Sequence, residues 1–259
     1  MGKIVVFSSN DLFAGRALKK SVEAYPECFQ AIVYADDPFS TFKKRLFILE
    51  NSGLRYIAFQ AFNKIFIKNA ILLFSRFHRF GHPLVSQLAK RHKIKVIRVD
   101  KINSKSAEES LLHMEPDIIL SIQFPQVMRE NILKIPKIGA INIHKSLLPK
   151  YRGMNPIFWA MLKGEKEIGV TAHFMEKSID SGEIIDQRSI PVSPSDSLFS
   201  LNNKCAEAAS GLIYDLVTCI YGGNEVHSYP QNTQQASYFS LPTKREVREF
   251  KRKKMKFLF

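Results

Sequence analysis

Residues 95–122, KVIRVDKINSKSAEESLLHMEPDIILSI, decide the fold. Two short β-branched runs, KVIRV and DIILSI, flank SKSAEESLLHME, whose apolar residues recur at helical spacing. Strand, helix and strand in that order make a crossover unit of a parallel sheet. The same reading extends in both directions. KIVVFS (3–8), QAIVYA (30–35) and GAINIH (139–144) are further short apolar runs, and in 9–25, SNDLFAGRALKKSVEAY, Asn10 or Asp11 can cap a helix. The expected class is α/β, a doubly wound, mostly parallel Rossmann-like sheet. VTAHFM (170–175) and GEIIDQRSIPV (182–192) follow with no room for a long helix between them, which predicts antiparallel additions at the sheet's end.

Residues 196–223 then predict one long helix, with Asp196 as its cap and Gly222-Gly223 as its stop. The main domain is expected to span 1–223, leaving 224–259 as a short connector and basic tail. That tail holds eight Lys or Arg between Lys244 and Lys256 and reads first as a solvated helix end. A stretch at about 40–90 exceeds what a crossover needs. It includes YIAFQAFNKIFIKNAILLFSRFHRF, apolar but interrupted by Asn63, Lys64, Lys68 and Asn69, so an amphipathic helical insertion is expected rather than a spanning helix.

Composition narrows the partners. In 259 residues, 38 Lys and Arg against 24 Asp and Glu leave a net charge of +14, which favours anionic ligands without choosing among them. The three cysteines have no metal or redox spacing, and an odd count points to reduced thiols and a cytoplasmic location. The opening MGKIVVFSSN lacks a secretory signal's layout, and Val6 breaks the myristoylation pattern. No histidine arrangement predicts a metal site.

In INIHKSLLPKYRG, residues 141–153, strand alternation puts Asn142 and His144 on one side and Ile141 and Ile143 on the other. The polar pair falls where a strand stops, and ligands of open α/β sheets gather beyond such ends. An amide can donate to a developing oxyanion and an imidazole can exchange a proton near neutrality, a combination suited to attack on a carbonyl-type carbon. A carboxylate must hold the imidazole, and KSIDSGEI offers Asp180 in a tight turn.

INIHKSLLPKYRG, followed by GVTAHFMEKSIDSGEII and preceded by DIILSIQFPQVMRENIL, resembles the 10-formyltetrahydrofolate-dependent formyltransferases over about residues 90–192. The family includes methionyl-tRNA, glycinamide ribonucleotide and nucleotide-sugar formyltransferases. The resemblance implies that Asn142, His144 and Asp180 are catalytic. It implies a formyl donor, 10-formyltetrahydrofolate, bound by Gln123, Phe124, Pro125, Gln126, Val127 and Met128 together with Ile179, and no metal. An unprotonated acceptor amine would attack the formyl carbon while Asn142 and protonated His144 stabilise the oxyanion. Ser146 reads as a loop cap, and Tyr151 and Arg152 as candidates to approach an acceptor phosphate.

The expected acceptor is a nucleotide-linked amino sugar of surface-polysaccharide synthesis. PQNTQQASYFSLPT looks like the linker that precedes a barrel in methionyl-tRNA formyltransferases, and the chain stops too soon after it for a barrel. A methionyl-tRNA acceptor and a non-catalytic folate- or nucleotide-binding module are the alternatives. A homodimer is expected, nucleic acid is not, and the insertion and basic tail leave membrane-surface contact open.

Overall fold

The computed structural model describes residues 2–35, 50–54, 56, 58 and 84–258. Most of the insertion expected at about 40–90 lies outside the described residues. Nine strands and seven helices are used below, numbered in chain order. Strand β1 (Ile4–Ser8), helix α1 (Leu12–Ala24) and strand β2 (Phe29–Ala35) come first. Next are α2 (Val85–Arg91), β3 (Lys95–Val99), α3 (Lys105–Met114) and β4 (Ile118–Ile122). The short helix α4 (Glu130–Leu133), β5 (Gly139–His144), β6 (Arg152–Gly153) and α5 (Pro156–Lys163) follow. The last are β7 (Glu167–Phe174), β8 (Ile184–Pro191), α6 (Leu198–Tyr221), β9 (Tyr238–Phe239) and α7 (Lys244–Arg252).

Seven strands form one sheet in the order β3-β2-β1-β4-β5-β7-β8. The first five are parallel; β7 and β8 are antiparallel. The predicted doubly wound sheet with antiparallel additions is therefore present. β1 and β4 are buried along their whole length, which is why IVVFS and IILSI are continuous rather than alternating. Strand order reverses between β1 and β4, so the loops leaving their carboxyl ends border a crevice, the usual place for a ligand in such sheets.

Apolar layers cover both faces. Val6, Ile141, Ile143, Val170 and Ala172 pack in the larger layer with α1, α5 and α6. Val5, Phe7, Ile119, Ala140, Met128 and Ile132 make the smaller one, beneath α3 and α4. Asp11 caps α1, its carboxylate accepting from the Ala14 amide at 2.9 Å. α6 starts one residue later than the sequence pattern suggests. Its cap is Ser197, in a reciprocal box with Ser200, while Asp196 accepts from Ser200 Oγ and Lys204 Nζ.

The segment after residue 223 is built into the same body, which corrects the expectation of a connector and solvated tail. β9 pairs with β6, and Tyr229 bridges to Ile184. Val247 and Phe250 of α7 are buried in the larger core layer, Phe250 stacking on Phe158 at 4.7 Å between ring centroids. The physical reason is a period: Val247 and Phe250 stand three apart, so a nine-residue basic helix still has one apolar stripe to bury. Tyr56, from the described edge of the insertion, packs edge-on against Phe158 and Phe257.

Candidate active site

β5 carries Ala140, Asn142 and His144 on the side of the smaller apolar layer. Ala140 still lies under that layer; beyond it the strand turns polar. β7 runs antiparallel beside it in a register that sets His173 against Asn142 and Thr171 against His144, on the same face. The loop after β7 folds back over these residues and delivers Asp180. Its return needs a glycine at 182, where a Cβ would stand 2.0 Å from the Phe174 carbonyl oxygen.

The three predicted residues converge. Asp180 Oδ2 lies 3.5 Å from His144 Nδ1, and Asp180 Oδ1 accepts from Asn142 Nδ2 at 3.5 Å. Oδ2 also accepts the Gly153 N–H at 2.8 Å. Gly153 has φ +91° and passes so close to β9 that a Cβ would meet the Phe239 carbonyl oxygen at 2.3 Å. Asp180 itself holds a positive φ of 52°, a conformation a non-glycine residue keeps only where surrounding contacts impose it.

His144 is 7% exposed, and its Nε2 bonds the Tyr151 carbonyl at 2.9 Å. Since that partner only accepts, Nε2 carries the proton and donates, which leaves Nδ1, facing Asp180, as the nitrogen that gains or loses one. Burial holds the His144 imidazole below its ordinary range, outweighing the opposing pull of the Asp180 carboxylate. Burial acts upward on Asp180, but the facing His144, His173 and the Gly153 amide prevail and hold its carboxyl well below the usual range. The resting pair is a neutral imidazole poised on an ionised carboxylate.

His173, on β7, belongs with this group as well. It is 1% exposed; Nδ1 donates to the Phe174 carbonyl at 2.8 Å, so Nε2 is free to accept from Asn142 Nδ2 at 3.3 Å. The signal was the alternation in GVTAHF, which puts His173 on the polar side once β7 is paired with β5; the register needed for that pairing is not in either strand alone.

The other candidates divide. Gln123, at φ +53°, lies between Asp11 and Lys145, and the amide orientation that satisfies both has Nε2 donating to the Asp11 carboxylate at 2.7 Å and Oε1 accepting from Lys145 Nζ at 2.6 Å. Lys145 also donates to Asn202 Oδ1 at 3.0 Å and lies over the Phe13 ring, and its loss of water lowers the ammonium from its ordinary value. Gln126 ties the loop to the β3–α3 turn, accepting from the Ile102 N–H and donating to the Asp100 carbonyl. Met128 is buried, and Phe124 packs edge-on against Phe7. Pro125 is half-buried. Val127 is 67% exposed and Ile179, beside Asp180, is 47% exposed, leaving two apolar side chains free to meet a ligand.

The Tyr151 phenol donates to Glu165 at 2.8 Å and lines a cavity of about 200 Å³ with Lys150 and Glu165, while its carbonyl accepts from His144. Arg152 is half-buried, its Nη2 donating to Gln231 Oε1 at 2.6 Å. Ser146 does brace the loop, donating to the Lys150 carbonyl at 2.8 Å.

An amide, an imidazole and a carboxylate thus gather beside the end of β5 in a Rossmann-like sheet. Residues 76–217, more than half of the chain, match the formyl transferase family model, and the chain belongs to that family. It is 39% identical to the methionyl-tRNA formyltransferase of Halalkalibacterium halodurans over 156 residues, 60% of this chain and 49% of that protein. The chain thus spans about half the length of such relatives. The N-formyltransferase from Helicobacter canadensis, solved with folinic acid and dTDP-3-aminofucose, aligns with 93% of this chain and 71% of its own at 21% identity, TM-score 0.62. The formyltransferase PseJ from Anoxybacillus kamchatkensis, solved with UDP-4,6-dideoxy-4-formamido-L-AltNAc and tetrahydrofolate, aligns with 61% of this chain and 82% of its own, 27% identical, TM-score 0.51.

Proposed function

We propose that this chain transfers a formyl group from 10-formyltetrahydrofolate to the amine of a nucleotide-linked amino sugar. The observation that carries the transfer chemistry is the convergence of Asn142, His144 and Asp180, with the imidazole Nδ1 3.5 Å from the carboxylate. 10-Formyltetrahydrofolate supplies the formyl carbon when bound. The exposed Val127 and Ile179 fit such a donor, offering it apolar contact.

The chain's own residues divide the work. Asn142 Nδ2 has two hydrogens, which the resting site engages with His173 at 3.3 Å and Asp180 at 3.5 Å; giving up the longer of these contacts frees one to face the charge growing on the formyl oxygen. Neutral His144 accepts at Nδ1 the proton that the acceptor amine sheds as its bond to carbon forms. The resulting imidazolium lies against Asp180, which stabilises it until the proton passes to the departing nitrogen. Arg152 and the net charge of +14 suit an acceptor bearing phosphate.

The sugar acceptor is supported by the likeness to PseJ and to the Helicobacter canadensis enzyme, both solved with sugar-nucleotide ligands. The sequence match to methionyl-tRNA formyltransferases supports a second acceptor, methionyl-tRNA. One assay separates them: tetrahydrofolate release from the formyl donor, measured with dTDP- and UDP-linked amino sugars and with methionyl-tRNA. Release with a sugar nucleotide, unchanged by RNase, is the expected result. Release with methionyl-tRNA alone overturns the choice of acceptor, and release with none, alongside unchanged donor binding, favours a non-catalytic folate-binding module.

A further inference from the structure

Gln231 stands at a junction that the proposed chemistry does not by itself explain. Its Nε2 donates to two backbone carbonyls of the Asp-Ser-Gly turn, that of Asp180 at 3.0 Å and that of Gly182 at 2.7 Å. Its Oε1 accepts from Arg152 at Nη2, 2.6 Å, and Nε, 3.2 Å. A carboxamide has two N–H donors and one oxygen able to accept twice, so Gln231 is fully used.

Both ends of that junction bear on Asp180. One end grips the turn in which Asp180 holds its positive φ. The other grips Arg152, whose neighbour Gly153 donates its N–H to the Asp180 carboxylate. The amide therefore couples the backbone of the carboxylate to the strand that holds its oxygen. Asp180 has no regular strand or helix to fix it, and its 3.5 Å separation from His144 depends on this turn.

We propose that Gln231 is a positioning residue, setting the Asp180 carboxylate against His144; this rests on the formyl-transfer reading above. The segment around it is anchored independently. Tyr229 exchanges backbone bonds with Ile184 at 2.8 and 2.9 Å, and Arg152 N–H donates to the Ser237 carbonyl at 2.8 Å. Removing one side chain between those anchors leaves the segment in place and frees the turn.

The test is an NMR titration of the histidine side chains in the full chain, with the His144 signal assigned by its loss in His144→Gln. The groups facing His144 are Asp180, His173 and Lys145, so Asp180→Asn supplies the reference for loss of the carboxylate. Gln231→Leu is expected to move the His144 titration to lower pH, in the direction of Asp180→Asn, because the carboxylate that favours the imidazolium has drawn away. Turnover is expected to fall on the order of 100-fold, the effect of a misplacement of about 1 Å, with KM for the donor unchanged. Gln231→Glu keeps an acceptor for Arg152 but sets an oxygen against two carbonyls, so it gives the same shift without a change of size. A His144 titration at the parent value in both variants overturns the proposal. If the parent transfers no formyl group to any acceptor, the function assigned above fails instead, and the titration still decides whether Gln231 sets the pair.

Discussion

His144 Nδ1 faces Asp180 Oδ2 at 3.5 Å while the same ring's Nε2 is spent on the Tyr151 carbonyl. One nitrogen is thus held by the backbone and the other faces the carboxylate. With burial holding the imidazole below its ordinary value of 6.5, the base form prevails at neutral pH, so kcat/KM should stay level through neutrality and fall only on an acid limb below about 6.5. His144→Gln, which can keep a donor toward Tyr151 but cannot take a proton, is expected to lose roughly 100- to 10,000-fold in turnover and to lose that limb. A pH–rate profile of parent and variant reads both.

The same groups set how stability depends on pH. Below about pH 6.5 the unfolded chain protonates His144 while the folded chain resists, so stability falls as pH drops. The slope per such group is at most about 1.4 kcal/mol per pH unit. Asp180 adds a separate, lower window: its contribution is intact above its ordinary 3.8 and is lost as the solution acidifies beyond that toward its depressed folded value. Urea unfolding between pH 8 and 5 should therefore show a steeper decline for the parent than for His144→Gln, since the Asp180 window lies below that range.

Asn142 and His173 form an oriented pair across β5 and β7. Asn142→Ala removes the proposed oxyanion donor and is expected to cost roughly 100- to 1000-fold in turnover. His173→Leu leaves Asn142 in place but takes away the acceptor that steadies it, so its loss should fall between parent and Asn142→Ala. Turnover with Tm recorded for each variant checks the order; a His173→Leu enzyme as fast as the parent would remove His173 from the site.

The sequence carries the sheet because its strands sit in local patterns: IVVFS and IILSI are apolar throughout, and the crossover 95–122 contains both strands and the helix. It carries Asn142 and His144 for the same reason, through alternation within one strand. What it hides is whatever depends on pieces brought together from afar. His173 needs the β5–β7 register, Gln231 needs the fold-back of the segment after α6, and the direction of the Tyr151 phenol needs the neighbouring Glu165. Likewise Val247 and Phe250 look like interruptions in a charge run until α7 is set beside Phe158.

That last contact gives a stability prediction. Phe250 is fully buried, stacked on Phe158 and next to Phe257 at 4.8 Å. Phe250→Ala should cost about 3–5 kcal/mol, as for other large-to-small changes in a packed core. Exposed Arg248, on the same helix, has no such role, and Arg248→Ala should leave stability within about 0.5 kcal/mol of the parent. Urea midpoints of the two variants distinguish an integrated helix from a loose tail.

In the loop after β4 anchored residues flank one exposed apolar residue. Gln126 holds two backbone groups of the β3–α3 turn, Met128 is in the core, and Val127 between them projects into solvent. Charging Val127 should therefore disturb a bound donor without disturbing the fold. Val127→Asp is expected to raise KM for 10-formyltetrahydrofolate about tenfold, a penalty of about 1.4 kcal/mol from lost apolar contact, with kcat and Tm near the parent's. Gln126→Ala should do the reverse in kind, lowering Tm because the Ile102 N–H and Asp100 carbonyl lose their partners, and changing KM through loosening of the loop. If Val127→Asp binds the donor as tightly as the parent does, this loop is not the wall of the donor cleft, and the role of Ile179 falls to be tested alone.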